Sequence, residues 1–254
     1  MSSRSDRARR HALGQHYLND PAVADRIIGL AKVRPGEHVL EIGTGRGALT
    51  KKLVRLTDYV EGYEIDKDNY EQLEQEIGGS AKLNNRDAFD SSPDFDVLVS
   101  TLPYSESSRF VEWLSQRFYN RAIVVVQRDF AKKITAAPGS EAYRAVSVIS
   151  QVSAEVKIVG DVYRDSFDPP PRVNSCIVTM RWHRTLTPEQ TAMIKRIFSQ
   201  KRKTVKAALN SLGLEAPPSA PAPGQNDLLQ CRVGSLRPES VLAMTGVLER
   251  SKSE

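Results

Sequence analysis

A glycine-rich turn between a buried apolar run and a helix-like segment constrains this chain more than any other feature. His38-Val39-Leu40-Glu41-Ile42 reads as a strand, Gly43-Thr44-Gly45-Arg46-Gly47 as the turn, and Ala48 to Leu56 as the helix after it. Glycines at such a place permit a tight turn and let backbone approach a ligand at the carboxyl edge of an open α/β sheet. The alternation continues with strand 59–64, helix 67–77, a short strand near 82–84 and strand Asp94 to Ser100. A helix around 107–118, strand Arg121 to Gln127 and helices near 128–136 and 142–152 follow, and a helix at 22–33 precedes the turn. Such alternation predicts right-handed βαβ units and a mainly parallel sheet covered on both faces. Two strand-like stretches, Ala154 to Val159 and Asn174 to Trp182, have no long helix between them, which predicts a hairpin ending in an antiparallel strand.

The pattern changes near residue 184. Helical segments at 187–200 and 202–212 lead to a Pro/Ala/Gly-rich connector, Gly213 to Gly224, and a last helix over about 237–250. The expected organisation is an α/β domain over 1–183, with 1–12 as a basic leader, and a small helical domain over 184–254.

Composition excludes several classes. With 254 residues, 40% hydrophobic and 26% charged, the chain reads as an ordinary soluble globular protein. The longest aliphatic run, Ala122 to Val126, is far short of the roughly 20 residues that span a bilayer, and no secretory leader is evident. Two cysteines and four scattered histidines suggest neither a disulfide framework nor a metal site, so a cytoplasmic setting and no metal are expected. The net charge of +5 is unevenly spread: residues 1–10 carry +3, residues 181–206 carry +7, and the remainder −5. A single basic run is often a solvated helix face, but two of them bracketing one domain lean toward nucleic acid.

The glycine turn leaves NAD and S-adenosylmethionine open as cofactors. Glu64, closing the next strand in Tyr63-Glu64-Ile65-Asp66, suits ribose hydroxyls in either case. Glu41 before the turn favours S-adenosylmethionine, and Ala48 does not extend the pattern toward the usual NAD spacing. An obvious hydride-transfer constellation is missing. Asn85-Arg86-Asp87-Ala88 and Ser100-Thr101-Leu102-Pro103-Tyr104 stand at the carboxyl ends of further strands, so they belong to the same crevice.

Taken together, these motifs resemble the small-subunit rRNA adenine N6,N6-dimethyltransferase (KsgA) family. The pieces are Gly14-Gln15-His16-Tyr17-Leu18, Leu40 to Gly47, Glu64-Ile65-Asp66, Leu102-Pro103-Tyr104 and Gln127-Arg128-Asp129-Phe130-Ala131. To these add Pro138-Gly139-Ser140-Glu141-Ala142-Tyr143, Phe167 to Ser175 and Gln200-Lys201-Arg202-Lys203-Thr204. The resemblance covers about residues 13–212 and extends to erythromycin-resistance (Erm) rRNA methyltransferases and mitochondrial transcription factor B proteins.

The resemblance implies a Rossmann-like methyltransferase sheet with an antiparallel last strand, plus a small C-terminal helical domain. It implies an enzyme that uses S-adenosylmethionine to methylate adenine N6 in small-subunit rRNA, at two adjacent adenines near the 3′ end, on the immature small ribosomal subunit. A monomer without membrane association is expected. By the same resemblance, Gln15, His16 and Leu18 fold over the methionine part of the cofactor. Gly43, Gly45 and Gly47 line its amino-acid and ribose portions, with Glu41 behind them and Glu64 and Ile65 at the ribose. Asp87 accepts from the cofactor's adenine amine beside Ala88. Thr101, Leu102, Pro103 and Tyr104 form the catalytic loop, and Phe167, expected on a surface loop, covers the other face of the target base. Arg7, Arg9, Arg10, Lys201, Arg202, Lys203 and Lys206 grip RNA phosphates.

Two positions depart from the family pattern. Thr101 stands where relatives carry Asn, which opens an alternative: an rRNA-binding assembly factor that methylates weakly or not at all. His16 replaces another Asn, and Glu106 places a carboxylate beside the catalytic loop.

Overall fold

A computed structural model describes residues 16–214 and 228–250, with side chains described as far as residue 245. The candidate residues Gln15, Arg7, Arg9 and Arg10, and most of the Gly213–Gly224 connector, lie outside the described residues.

Parallel strands β2 (Val39–Ile42), β3 (Val60–Tyr63), β4 (Lys82–Asn84), β5 (Val97–Thr101) and β6 (Arg121–Gln127) form most of one sheet. Also in this sheet are β7 (Ala154–Val162) and β9 (Ser175–Trp182), in the order β4-β3-β2-β5-β6-β9-β7. β9 runs antiparallel to β6, as expected from the sequence, but it sits inside the sheet, between β6 and β7. A separate two-stranded ribbon pairs β1 (Tyr17–Leu18) with β8 (Phe167–Asp168), antiparallel, with Leu18 opposite Phe167.

Helix α1 (Pro21–Ala31) shows how local sequence sets an element. Asp20 caps its start by accepting from the Ala22 and Val23 amides, and Pro21 fits the first helical position. Lys32 leaves the helix in the left-handed region at φ 46°. There Arg121 donates to the Ala31 and Lys32 carbonyls and pairs with Glu37 at 2.6 Å. The expected helix over 48–56 shrinks to α2 (Thr50–Leu53), because Arg55 and Leu56 turn to i→i+3 bonds with Lys52 and Leu53. Next come α3 (Lys67–Ile77), α4 (Ser107–Ser115), α5 (Arg128–Ile134) and α6 (Ala145–Ser153). The last of these starts three residues later than expected, after a turn in which the Tyr143 amide donates to Ser140. Then come α7 (Pro188–Phe198), opened by a reciprocal Thr187–Gln190 capping box, α8 (Val205–Ser211) and α9 (Pro238–Arg250).

Packing divides the chain into two units. The first comprises the described residues through Phe110, then Phe118–Ala131 and Lys157–Trp182; its core includes Ile27, Leu53, Val97, Val99, Ile123, Val125 and Ile177. The second comprises Val111–Arg117, Lys132–Val156 and the described residues from His183 onward. Within it α6, α7 and α9 pack on one another, burying Val148, Ile149, Ile194, Ile197 and Val241. Tyr143 is fully buried there, its hydroxyl on the Leu236 carbonyl at 3.0 Å and its ring edge-on to Phe198.

Candidate active site

The parallel register of β2, β3 and β5 brings their carboxyl ends to one edge of the first unit, where a cavity of about 410 Å³ opens. The glycine turn forms its floor. Gly43 and Gly45 hold φ of 76° and 53°, and the Gly43 and Thr44 amides donate to the Tyr63 carbonyl. At Gly45 a Cβ would stand 3.1 Å from the Tyr17 ring, so that close approach needs glycine. Gly47 does not line the cavity: its φ is 79° and its Cα faces the Leu73 side chain, so its role is helix packing.

Glu41, Glu64, Asp87 and Glu106 reach the cavity wall. Glu64 accepts from the Gly45 amide at 2.7 Å and the Asp66 amide at 2.8 Å, and burial raises its pKa above the usual range despite those bonds. Glu41 is 1% exposed and accepts from the Thr50 hydroxyl at 2.6 Å; burial pushes its pKa up to about 8. Asp87 caps the short turn Ala88–Asp90 through the Phe89 amide, and its other oxygen accepts from Arg109 at 2.6 Å. Ala88 is buried beside it, and Ile65 stands exposed at the rim.

Beside the glycine turn, Thr101 ends β5 and Leu102 is buried, its amide donating to the Val125 carbonyl. Pro103 leads into the turn Tyr104–Glu106. The Tyr104 hydroxyl lies 2.7 Å from that of Ser175, and burial raises the phenol pKa. His16 sits with its ring centroid 5.6 Å from that of Tyr104, and its Nδ1 donates to the Pro169 carbonyl at 2.7 Å. Leu18 lines the cavity from β1. Phe167 lines it too, but from the core rather than from a surface loop: it is 4% exposed, because pairing of β8 with β1 turns it inward.

Comparison with known proteins decides what this cavity belongs to. The family described as ribosomal RNA adenine dimethylase matches over residues 7–244. The chain belongs to the ribosomal RNA adenine dimethylase family. Ribosomal RNA small subunit methyltransferase A of Thermosynechococcus vestitus is 35% identical over 219 residues, covering 80% of this chain and 83% of that one. Its counterpart in Thermotoga neapolitana is 34% identical over 206 residues, covering 79% of each. Among solved structures, a dimethyladenosine transferase from Plasmodium falciparum has TM-score 0.79 at 27% identity, covering 93% of this chain and 98% of that one. The 23S rRNA methyltransferase ErmE has TM-score 0.67 at 26% identity, covering 92% and 99%.

Several residues of this dimethylase-family cavity escaped the sequence reading. The Tyr17 ring lies under the Arg46 guanidinium at 4.5 Å, its hydroxyl accepts from Asn69, and Arg46 reaches Asp168 at 3.1 Å. The Thr44 hydroxyl is buried at the wall with no hydrogen-bond partner, which suits a ligand rich in polar groups. Arg109, in the first turn of α4, was missed because its hydrogen-bonded partners Asp87 and Asp90 are distant in sequence. In the second unit, Arg202, Lys203 and Lys206 are exposed. Lys201 donates to the Ser140 and Glu141 carbonyls, which fastens that turn. Among the described residues no cluster could hold a metal ion, and no helix is long and apolar enough to cross a membrane.

Proposed function

We propose that this protein transfers methyl groups from S-adenosylmethionine to the N6 amine of adenine in small-subunit rRNA, twice on each of two adjacent adenines near the 3′ end. The observation that carries the reading is one cavity walled by Glu64, Asp87 and the Thr101–Tyr104 loop, in a chain of this family. The cavity suits the cofactor: its volume falls within the roughly 300–1,000 Å³ of small-molecule sites, and it offers carboxylates, glycine backbone and the orphaned Thr44 hydroxyl.

Glu64 would hold the ribose hydroxyls and Asp87 the adenine amine, while Gly43 and Gly45 let backbone approach the amino-acid part. His16, Leu18 and the wall residue Phe167 would cover the opening. The cofactor supplies an electrophilic methyl group on sulfonium sulfur.

The protein's task is the nucleophile. Adenine N6 is weak because its lone pair is delocalised into the ring, so acceptors on its N–H groups favour a geometry in which the pair is available. A carbonyl of the 101–104 loop and the Thr101 hydroxyl would serve there, with the Tyr104 ring stacked on a base drawn out of the RNA; such a stack is worth roughly 1–3 kcal/mol. After transfer the nitrogen is cationic and releases its proton without a strong base.

Arg202, Lys203 and Lys206, in residues 184–254 read as the RNA-binding domain, would neutralise phosphates and make binding fall steeply with salt. Thr101 supports a second reading, an assembly factor that binds the same RNA and cofactor with attenuated methylation.

The test is transfer of labelled methyl to immature small subunits, with nucleoside mass spectrometry to count methyl groups. N6,N6-dimethyladenosine at adjacent positions is expected. A cofactor-loaded enzyme that leaves rRNA unmethylated would rule the enzymatic reading out.

A further inference from the structure

The guanidinium of Arg109 sits among three carboxylates, Asp87, Asp90 and Glu106, at one end of the cavity. Its Nη1 donates to Asp87 Oδ2 at 2.6 Å and lies 3.6 Å from Glu106; its Nη2 donates to Asp90 at 2.8 Å. Its carbon sits 4.8 Å from the centroid of the Phe89 ring. Arg109 therefore touches the turn Ala88–Asp90 with its flat face and both its ends, and reaches the loop that carries Tyr104 through Glu106.

This arrangement fixes Asp87 from two sides. The Phe89 amide holds Oδ1 at 2.9 Å and Arg109 holds Oδ2. Each carboxylate oxygen accepts two hydrogen bonds, so one lone pair on each is left for a ligand, and the plane of the carboxylate is set before any ligand arrives. A planar fork does this better than a point charge, because it binds two carboxylates at once in a fixed geometry. Arg109 thus balances charge at three carboxylates, Asp87, Asp90 and Glu106.

We infer that Arg109 is a positioning residue for the adenine end of the cofactor, acting through Asp87 to select a purine that carries an amine. This rests on the proposed assignment of Asp87 to the cofactor's adenine. An amine donates to the held carboxylate; a ring with oxygen at the same place would set two acceptors against each other.

Calorimetric titration of the full-length protein tests this, with S-adenosylhomocysteine and its inosine counterpart, S-inosylhomocysteine, as probes. Arg109→Ala is expected to weaken S-adenosylhomocysteine about tenfold, with little change for the inosine analogue, since a lost charge-assisted contact is felt only by the amine. Asp87→Asn should abolish the effect: on that background Arg109→Ala costs nothing more, as required if the two act as one unit. Arg109→Lys should recover part of the affinity. Equal weakening of both probes, or losses that multiply in the double variant, would assign Arg109 a merely structural role and overturn the inference. So would an Arg109→Ala affinity within twofold of the parent. Arg109 is half-exposed, so the variant should melt within about 3 °C of the parent. Should Arg109→Ala not fold, Arg109→Gln carries the same comparison. Failure of the parent itself to bind S-adenosylhomocysteine would instead sink the proposed function.

Discussion

The hydroxyl of Thr50 donates a 2.6 Å hydrogen bond to Glu41 inside the sheet edge, joining the first residues of α2 to the strand before the glycine turn. Glu41 is otherwise buried, and burial is the first cause of its pKa of about 8, with the charge on Glu64 adding to it. The folded state therefore favours the protonated acid, whereas the unfolded chain ionises near 4.5. Stability from this group is present at pH below about 4.5 and is lost as pH rises to about 8.

Glu41→Gln removes that dependence. In the absence of cofactor, the parent should lose melting temperature between pH 5 and 8 relative to Glu41→Gln, the difference reflecting at most about 5 kcal/mol. Parallel curves for the two proteins would show that Glu41 ionises freely in the fold.

Glu64 accepts two backbone amides and, on the proposed reading, the ribose. Glu64→Ala should raise the dissociation constant for S-adenosylmethionine by about 10–100-fold, the worth of one to two charge-assisted hydrogen bonds. Calorimetry on the purified variant decides this, and an unchanged constant would remove Glu64 from the site.

Thr101 ends β5 at the cavity with a side chain shorter than Asn. Thr101→Asn should increase kcat for methyl transfer by about tenfold or more, within the range that a positioned hydrogen-bond partner contributes. No gain would show that the Thr hydroxyl and the loop backbone suffice.

Gly47→Ala tests the packing role. At φ 79° an added Cβ would be strained and would drive into Leu73, so a loss of about 1–3 kcal/mol is expected in denaturant unfolding, with cofactor affinity changed much less. A stable variant with impaired cofactor binding would return Gly47 to the cavity.

Much of the first unit was legible because buried parallel strands write themselves as apolar runs, as in Val97–Ser100 and Ala122–Val126. The neighbourhood of β9 and β7 was legible from the missing helix between them, but nothing in Ser175–Trp182 names β6 as the other neighbour. The pairing of β1 with β8 is two residues long and leaves no periodicity. In the cavity, Glu64, Asp87 and Thr101–Tyr104 stand where strand ends had to bring them. The Leu73 packing of Gly47 was not legible, because glycine spacing looks the same whether the Cα faces a ligand or a side chain. Phe167 was misread because its prolines suggested a loop while its pairing partner, Leu18, lies far away in the chain. Arg109 was missed altogether: ion pairs across 19 or 22 residues follow no local rule.

The position of β9 also sets a clock on synthesis. β6 has β5 on one side and β9 on the other, so a nascent chain that has not reached Trp182 offers an open, strongly apolar strand edge. The cavity wall contributed by Phe167 is missing over most of the same interval. At about 5–20 residues per second, roughly 3–11 s of translation separate the end of β6 from the end of β9. A chain truncated before Phe167 lacks both β9 and part of the cavity wall.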